Sequence, residues 1–168
     1  MMASPPWSSP CEWREINRCI RNWVEERTAG LEKATRLAVA IRHGIEDLDP
    51  LMEALCKEAC PQCPASCCGI ARVWFDFKDL ITFHLAGLPI PGGQIHRSPG
   101  AACPNLSSAG CRLPRPFRPY ICTWYLCPSM KEALGTTDPR RRAHVDRLMT
   151  DLGGYRRALE TAFIEALL

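Results

Sequence analysis

Cys60-Pro61-Gln62-Cys63-Pro64-Ala65-Ser66-Cys67-Cys68-Gly69 is the stretch that decides the fold. Pro61 and Pro64 bar a helix from running through it, because proline lacks the amide proton and its ring strikes the preceding turn. Gly69 lets the chain leave through backbone angles closed to other residues. Helical patterning must therefore stop near Cys60, and an irregular segment begins. The cysteine spacing suggests what orders that segment. In C-x2-C the intervening turn lets both thiolates face one ion, and zinc or iron in a tetrahedral thiolate site is the usual occupant.

Upstream of this stretch the chain is patterned for helix. Trp13, Ile16, Ile20, Trp23 and Val24 share one face, and Leu31, Ala34, Ala38, Ile41, Ile45 and Leu48 continue it. Gly30 interrupts the pattern, which allows one kinked helix or two shorter ones. Asp49-Pro50 reads as a cap and first residue of a separate short helix ending near Cys60. Downstream, Asp76 is the expected cap of a helix from Phe77 to Ala86, with Asp79 in its acidic first turn and Gly87 as its stop. Prolines and glycines between Leu88 and Ala102 predict loop with short strand pieces at most. Val145, Leu148, Met149, Leu152, Tyr155, Leu159, Ala162, Phe163 and Ala166 recur at helical spacing and predict a long C-terminal helix that stays in phase through Gly153-Gly154. Arg140-Arg141-Arg142 reads as its solvated face.

A second cysteine group lies beyond the loop: Cys103-Pro104-Asn105-Leu106, Gly110-Cys111, and Arg118-Pro119-Tyr120-Ile121-Cys122 followed by Cys127-Pro128. Cysteine followed by proline recurs in iron–sulfur loops. Residues 56–128 hold nine of the 11 cysteines and ten of the 15 prolines, so the centre differs sharply in composition from its flanks. The expected architecture is mainly α with little or no β. One domain is built from an N-terminal helical segment (1–55), a Cys/Pro-rich metal-binding module (56–128) and a C-terminal helical segment (129–168).

Composition narrows the function. The 168 residues suit one domain of about 150 residues. The longest aliphatic run, Leu37 to Ile41, falls far short of the roughly 20 residues that span a bilayer. The first six residues show neither a basic nor an apolar signal region. A cytoplasmic protein with no membrane partner is expected. The net charge of +3 is too small to argue for nucleic acid, and the aromatic residues show no nucleic-acid-binding pattern. Eleven cysteines without an export signal point to metal or redox chemistry rather than disulfides. Buried packing thiols and disulfides are the alternative readings.

Taken in order, C-x2-C-x3-C-C, C-P-x-L, G-C, R-P-x-x-C and a final cysteine resemble the YkgJ-like CxxCxxCC family, described as zinc- or iron-chelating. The likeness spans Cys60 to Pro128. It implies metal binding, with the family's cysteine positions falling on Cys60, Cys63, Cys67, Cys68, Cys103, Cys111, Cys122 and Cys127. Pro104, Leu106, Gly110, Arg118 and Pro119 match its other positions, whereas Thr123 stands where an arginine is common. Some relatives, including flagellin lysine methylases, are associated with iron–sulfur chemistry.

Eight thiolates suit two four-cysteine zinc ions, one or two iron–sulfur clusters, or a single site with the remaining cysteines structural. Adjacent Cys67 and Cys68 should point apart and serve different sites or roles. The seven basic and three acidic residues of the centre make Arg112, Arg115 and Arg118 natural counterions for thiolates. His84, His43 and His144 read as helix residues, and His96 is the one histidine placed to assist. Cys56-x3-Cys60-x2-Cys63 also has the spacing of radical S-adenosylmethionine enzymes. The helix before it and the lack of an alternating strand–helix series argue for Cys56 as a helix residue one turn before Cys60. The leading function is a protein that holds zinc or an iron–sulfur cluster, structurally or to handle metal. The alternatives are an iron–sulfur redox or modifying enzyme, acting on S-adenosylmethionine or a protein, and an adaptor that binds a protein partner. Whether the chain is an enzyme stays open. Trp7, Trp13 and Trp23 read as core, with a partner surface as the second reading.

Overall fold

The computed structural model describes residues 5–63, 66–97, 100–108 and 110–168, without the side chain of Gln62. The expectations on the first four residues, on Pro64 and on Pro99 lie outside that set. Helix dominates, at 68% of residues against 3% strand.

Local signals set most helix starts. Ser9 caps α1 (Pro10–Glu26) through a reciprocal pair: Glu12 N–H donates to Ser9 Oγ at 3.1 Å, and Ser9 N–H donates to Glu12 Oε2 at 2.9 Å. A 3-10 turn at Thr28–Gly30 then separates α1 from α2 (Glu32–Ala59), so the N-terminal segment is two helices. Asp76 caps α4 (Phe77–Leu85) with Asp79 as its reciprocal partner, and Gly87 follows at φ +64°. Asp138 caps α7 (Pro139–Leu167), which runs unbroken through Gly153 and Gly154. Between α2 and α7 lie the one-turn helices α3 (Cys67–Ile70) and α5 (Ile121–Trp124), and α6 (Pro128–Gly135). The antiparallel pair β1 (Leu106–Ser107) and β2 (Gly110–Cys111), with 3-10 turns at Cys60–Gln62 and Arg115–Phe117, completes the described elements.

The expected helix break at Asp49-Pro50 is absent: α2 continues through Pro50. The apolar series stays in phase across it, with Ile41, Ile45, Leu48, Met52 and Leu55 all buried. Fully burying a side chain such as Met52 or Leu55 contributes about 1.5–3 kcal/mol, which offsets the roughly 3 kcal/mol that an interior proline costs. Asp49 does not cap a helix. It accepts a hydrogen bond from Arg115 Nε at 2.8 Å. Pro50 is exposed, so replacing it with alanine should return one helix hydrogen bond and lose little packing. Pro50→Ala should raise unfolding free energy by about 1–2 kcal/mol, measured by urea denaturation, after allowing for the more flexible unfolded chain.

α2 is the central element, packing on α7, α4 and α6, while α1 packs on α4. Gly44 lets α7 approach closely, since a Cβ there would lie 2.9 Å from Leu152 Cδ2. Trp13 is buried, and half-buried Trp7 and Trp23 pack against the core. The loop after α4 is pinned by buried Gln94. Its Oε1 accepts from Phe75 N–H at 2.7 Å, and its Nε2 donates to Phe75 O and Pro6 O at 3.0 Å.

Candidate metal centre

Short local structures place each thiol. Cys56 sits on the last turn of α2, and the Cys60 N–H donates to its carbonyl. A hydrogen bond from Cys63 N–H to Cys60 O, 3.2 Å, tightens the C-x2-C turn. Cys67 and Cys68 open α3, where successive side chains diverge by about 100° around the axis. Gly110, at φ +102°, allows the tight β1–β2 connection that carries Cys111. Cys122 lies in α5, and buried Cys127 caps α6. The two cysteine-rich stretches meet directly: Cys103 N–H donates to Cys68 O at 2.8 Å.

The thiols fall into two neighbourhoods. Cys60 is influenced by Cys56, Cys127 and Cys67, and Cys67 by Cys127, Cys63 and Cys56. Cys68 is influenced chiefly by Cys111 and Cys103, and Cys122 by Cys68, Cys111 and Cys103. The strongest influences group Cys56, Cys60, Cys63, Cys67 and Cys127, and Cys68, Cys103, Cys111 and Cys122, while Cys67 also acts on Cys68 across the two groups. Each group draws on both cysteine-rich stretches. Partial burial of its thiol, with Cys56 next in effect, pushes Cys60 up to about 12 even though the residue as a whole is exposed. Burial likewise pushes Cys122 up to about 12 and raises Cys67 and Cys68.

Arginines brace the loops in three different ways. Arg118 is the cation that lowers the Cys68 and Cys122 thiols against these trends. Arg115, only 1% exposed, pairs with Asp49 and Glu53 of α2 at 2.8 Å each and donates to Cys122 O at 3.4 Å. It is a strut between α2 and the second loop, and Arg112 is exposed. Of the three arginines expected to act as counterions, Arg118 acts on the thiols. Arg97 ties Gly69 O, Ala71 O (2.7 Å) and Ala101 O together, closing the ring of backbone around Cys68 and Cys103. Nothing in its sequence context marks that role. Thr123 is fully buried and donates its hydroxyl to Tyr120 O at 2.5 Å, filling its place by a local bond.

The donor chemistry fits zinc or iron, because soft thiolates select those ions and four satisfy a tetrahedral site. Among the described residues, no group of three or more His, Cys, Asp or Glu side chains is placed to hold a metal ion. The histidines stay apart from both sets. His84 Nε2 donates to Asn17 Oδ1 at 3.0 Å, and burial, with Arg21, lowers it to about 4. His96 is exposed. Ile70, Trp74, Ile121, Trp124 and Tyr125 are exposed within the cysteine-rich centre. No described helix is long and apolar enough to cross a membrane.

Comparison with known proteins found no matching family model, no matching curated protein and no matching solved structure.

Proposed function

We propose that this is a cytoplasmic metal-binding protein of the YkgJ-like kind that holds zinc or iron through cysteine thiolates at two sites. One observation supports the reading most. The two cysteine-rich stretches, distant in sequence, meet at a backbone hydrogen bond from Cys103 N–H to Cys68 O, 2.8 Å, which brings thiols of both together. Cys60, Cys63, Cys67 and Cys127 are the ligands proposed for the first site, and Cys68, Cys103, Cys111 and Cys122 for the second. The metal would supply positive charge that orders the loops, so binding energy becomes folding energy.

Anaerobic purification with elemental analysis, acid-labile sulfide assay and visible spectroscopy tests the proposal. Two equivalents of zinc in colourless protein, or iron with sulfide in brown protein, is the expected result. Folded protein that takes up neither metal overturns it. Loading should also release protons near neutral pH. Cys60, Cys67, Cys68 and Cys122 have raised thiols that must give up their protons to coordinate. Metal affinity should therefore rise with pH, as titrations in buffers of different ionisation enthalpy would show.

A further inference from the structure

Three of the exposed apolar residues in the centre share one short element. Ile121 and Trp124 of α5 are each 38% exposed, and Tyr125 at its C-cap is 44% exposed. The Trp124 ring centre lies 6.3 Å from that of Tyr120 and 6.4 Å from that of Tyr125, so three aromatic rings stand in a row. The row is anchored on α7. Arg156 lies over Tyr120, 4.1 Å from its ring centre. Gly153 leaves room beside it: a Cβ there would lie 4.0 Å from Tyr120 Oη and 3.6 Å from Arg157 Nη1. Arg157 therefore stands next to the row, one turn beyond Gly153 on the same face of α7. It is exposed and forms no ion pair among the described residues. The same holds for Arg140, Arg142 and Arg147, because the ion pairs of α7 use Arg156, Glu160 and Glu165. Residues 111–157 hold ten basic and four acidic side chains, a net charge of +6, whereas the rest of the chain carries −3.

From this juxtaposition we infer that the face formed by α5 and α7 is a docking surface for an acidic segment of another protein that also carries an aromatic or aliphatic side chain. Trp, Tyr and Arg dominate the energetic centres of protein interfaces, because rigid rings lose little freedom when covered. Here all three types lie side by side at the surface. The partner's apolar side chain packs against Trp124 and Tyr125, and a neighbouring carboxylate pairs with Arg157. The cations of this face lack counterions within the protein, so charge complementarity selects an acidic partner over a basic one. The inference goes beyond the metal-binding reading and does not depend on it.

A phage-displayed library of short random peptides, selected on the full-length protein, is the probe. Selected peptides should combine Asp or Glu with an aromatic or aliphatic residue. A synthetic copy of the commonest one, followed by fluorescence anisotropy, should bind with an affinity that falls as salt rises. Tyr125→Ser and Arg157→Glu should each weaken it about tenfold, equivalent to about 1.4 kcal/mol. Tyr155→Ser, about 160° round the α7 axis from Gly153, removes another exposed ring and should change nothing. Circular dichroism checks that the variants fold, and exposed Arg157 keeps the test decisive if loss of Tyr125 does not allow folding. A library that yields no binder, binders without acidic residues, or binding that survives Arg157→Glu overturns the inference. So does binding of phosphatidylserine–phosphatidylcholine vesicles or of a uridine oligonucleotide in place of the peptide, because the partner would then be a membrane or a nucleic acid.

Discussion

Arg156→Met should lower the unfolding free energy by about 3–5 kcal/mol, the cost of stranding a buried charge by removing its partner. Arg156 is 5% exposed and reaches from α7 to the cap of α4. Its Nη1 donates to Asp79 Oδ1 at 2.7 Å, and its Nη2 donates to both Asp76 carboxylate oxygens at 2.8 Å. Its guanidinium also lies 4.1 Å from the centre of the Tyr120 ring. Asp79 is 6% exposed and in turn accepts from Tyr120 N–H at 3.2 Å, two residues before Cys122. Losing Arg156 would therefore disturb the start of α5 as well as the α4–α7 contact. Urea denaturation measures the loss. The double variant Arg156→Met with Asp79→Asn should recover part of it, because the carboxylate left without Arg156 is then the half-exposed Asp76 alone. If the double variant is no more stable than Arg156→Met, the stranded charge is not the cause.

The same pair makes stability depend on pH in an unusual direction for a carboxylate. Burial pushes Asp79 up to about 6 from an ordinary 3.8, and Arg156 pulls against it. The native state thus holds the proton more tightly than the unfolded state. The stability tied to that proton is complete below pH 3.8 and is lost as pH rises through about 6. Relative to Asp79→Asn, the wild type should lose unfolding free energy across that window.

Replacing either of two adjacent cysteines should empty different sites. Cys67→Ser should abolish the first metal site and leave the second, and Cys68→Ser should do the reverse. Metal content would fall from two equivalents to one in each case, with affinity at the affected site dropping well beyond the roughly 100-fold that outer-shell changes cause. The structural outcomes should differ too. Loss of Cys68 frees the Cys103–Cys122 loops, which limited proteolysis would reveal. Loss of Cys67 loosens the junction between the end of α2 and the start of α6. If either change removed both equivalents, one joint site would replace the proposed two.

Much of the helical framework was legible because its causes are local. Asp76 with Asp79, and the three- and four-residue apolar spacing of α7, act within a few residues of one another. The same local rules misread Asp49-Pro50, where a cap signal and a proline were outweighed by Met52, Leu55 and the Arg115 contact. The candidate site divides similarly. The family resemblance implied eight of the cysteines as ligands, and neighbouring Cys67 and Cys68 were expected to diverge. Which thiols of the two stretches influence one another was not legible.

By itself, the sequence determined where helices begin, where prolines end them, and that the centre is rich in thiols but poor in apolar residues. Those properties depend on backbone donors, side-chain caps and periodicity within one or two turns. Only the tertiary structure decided that Arg156 is buried against Asp79, that Arg115 braces a loop against α2, and that the backbone of Cys103 meets that of Cys68. Each of these joins residues on separate elements. The docking of those elements depends on which apolar faces can be buried together, a condition of the whole chain that no short stretch contains.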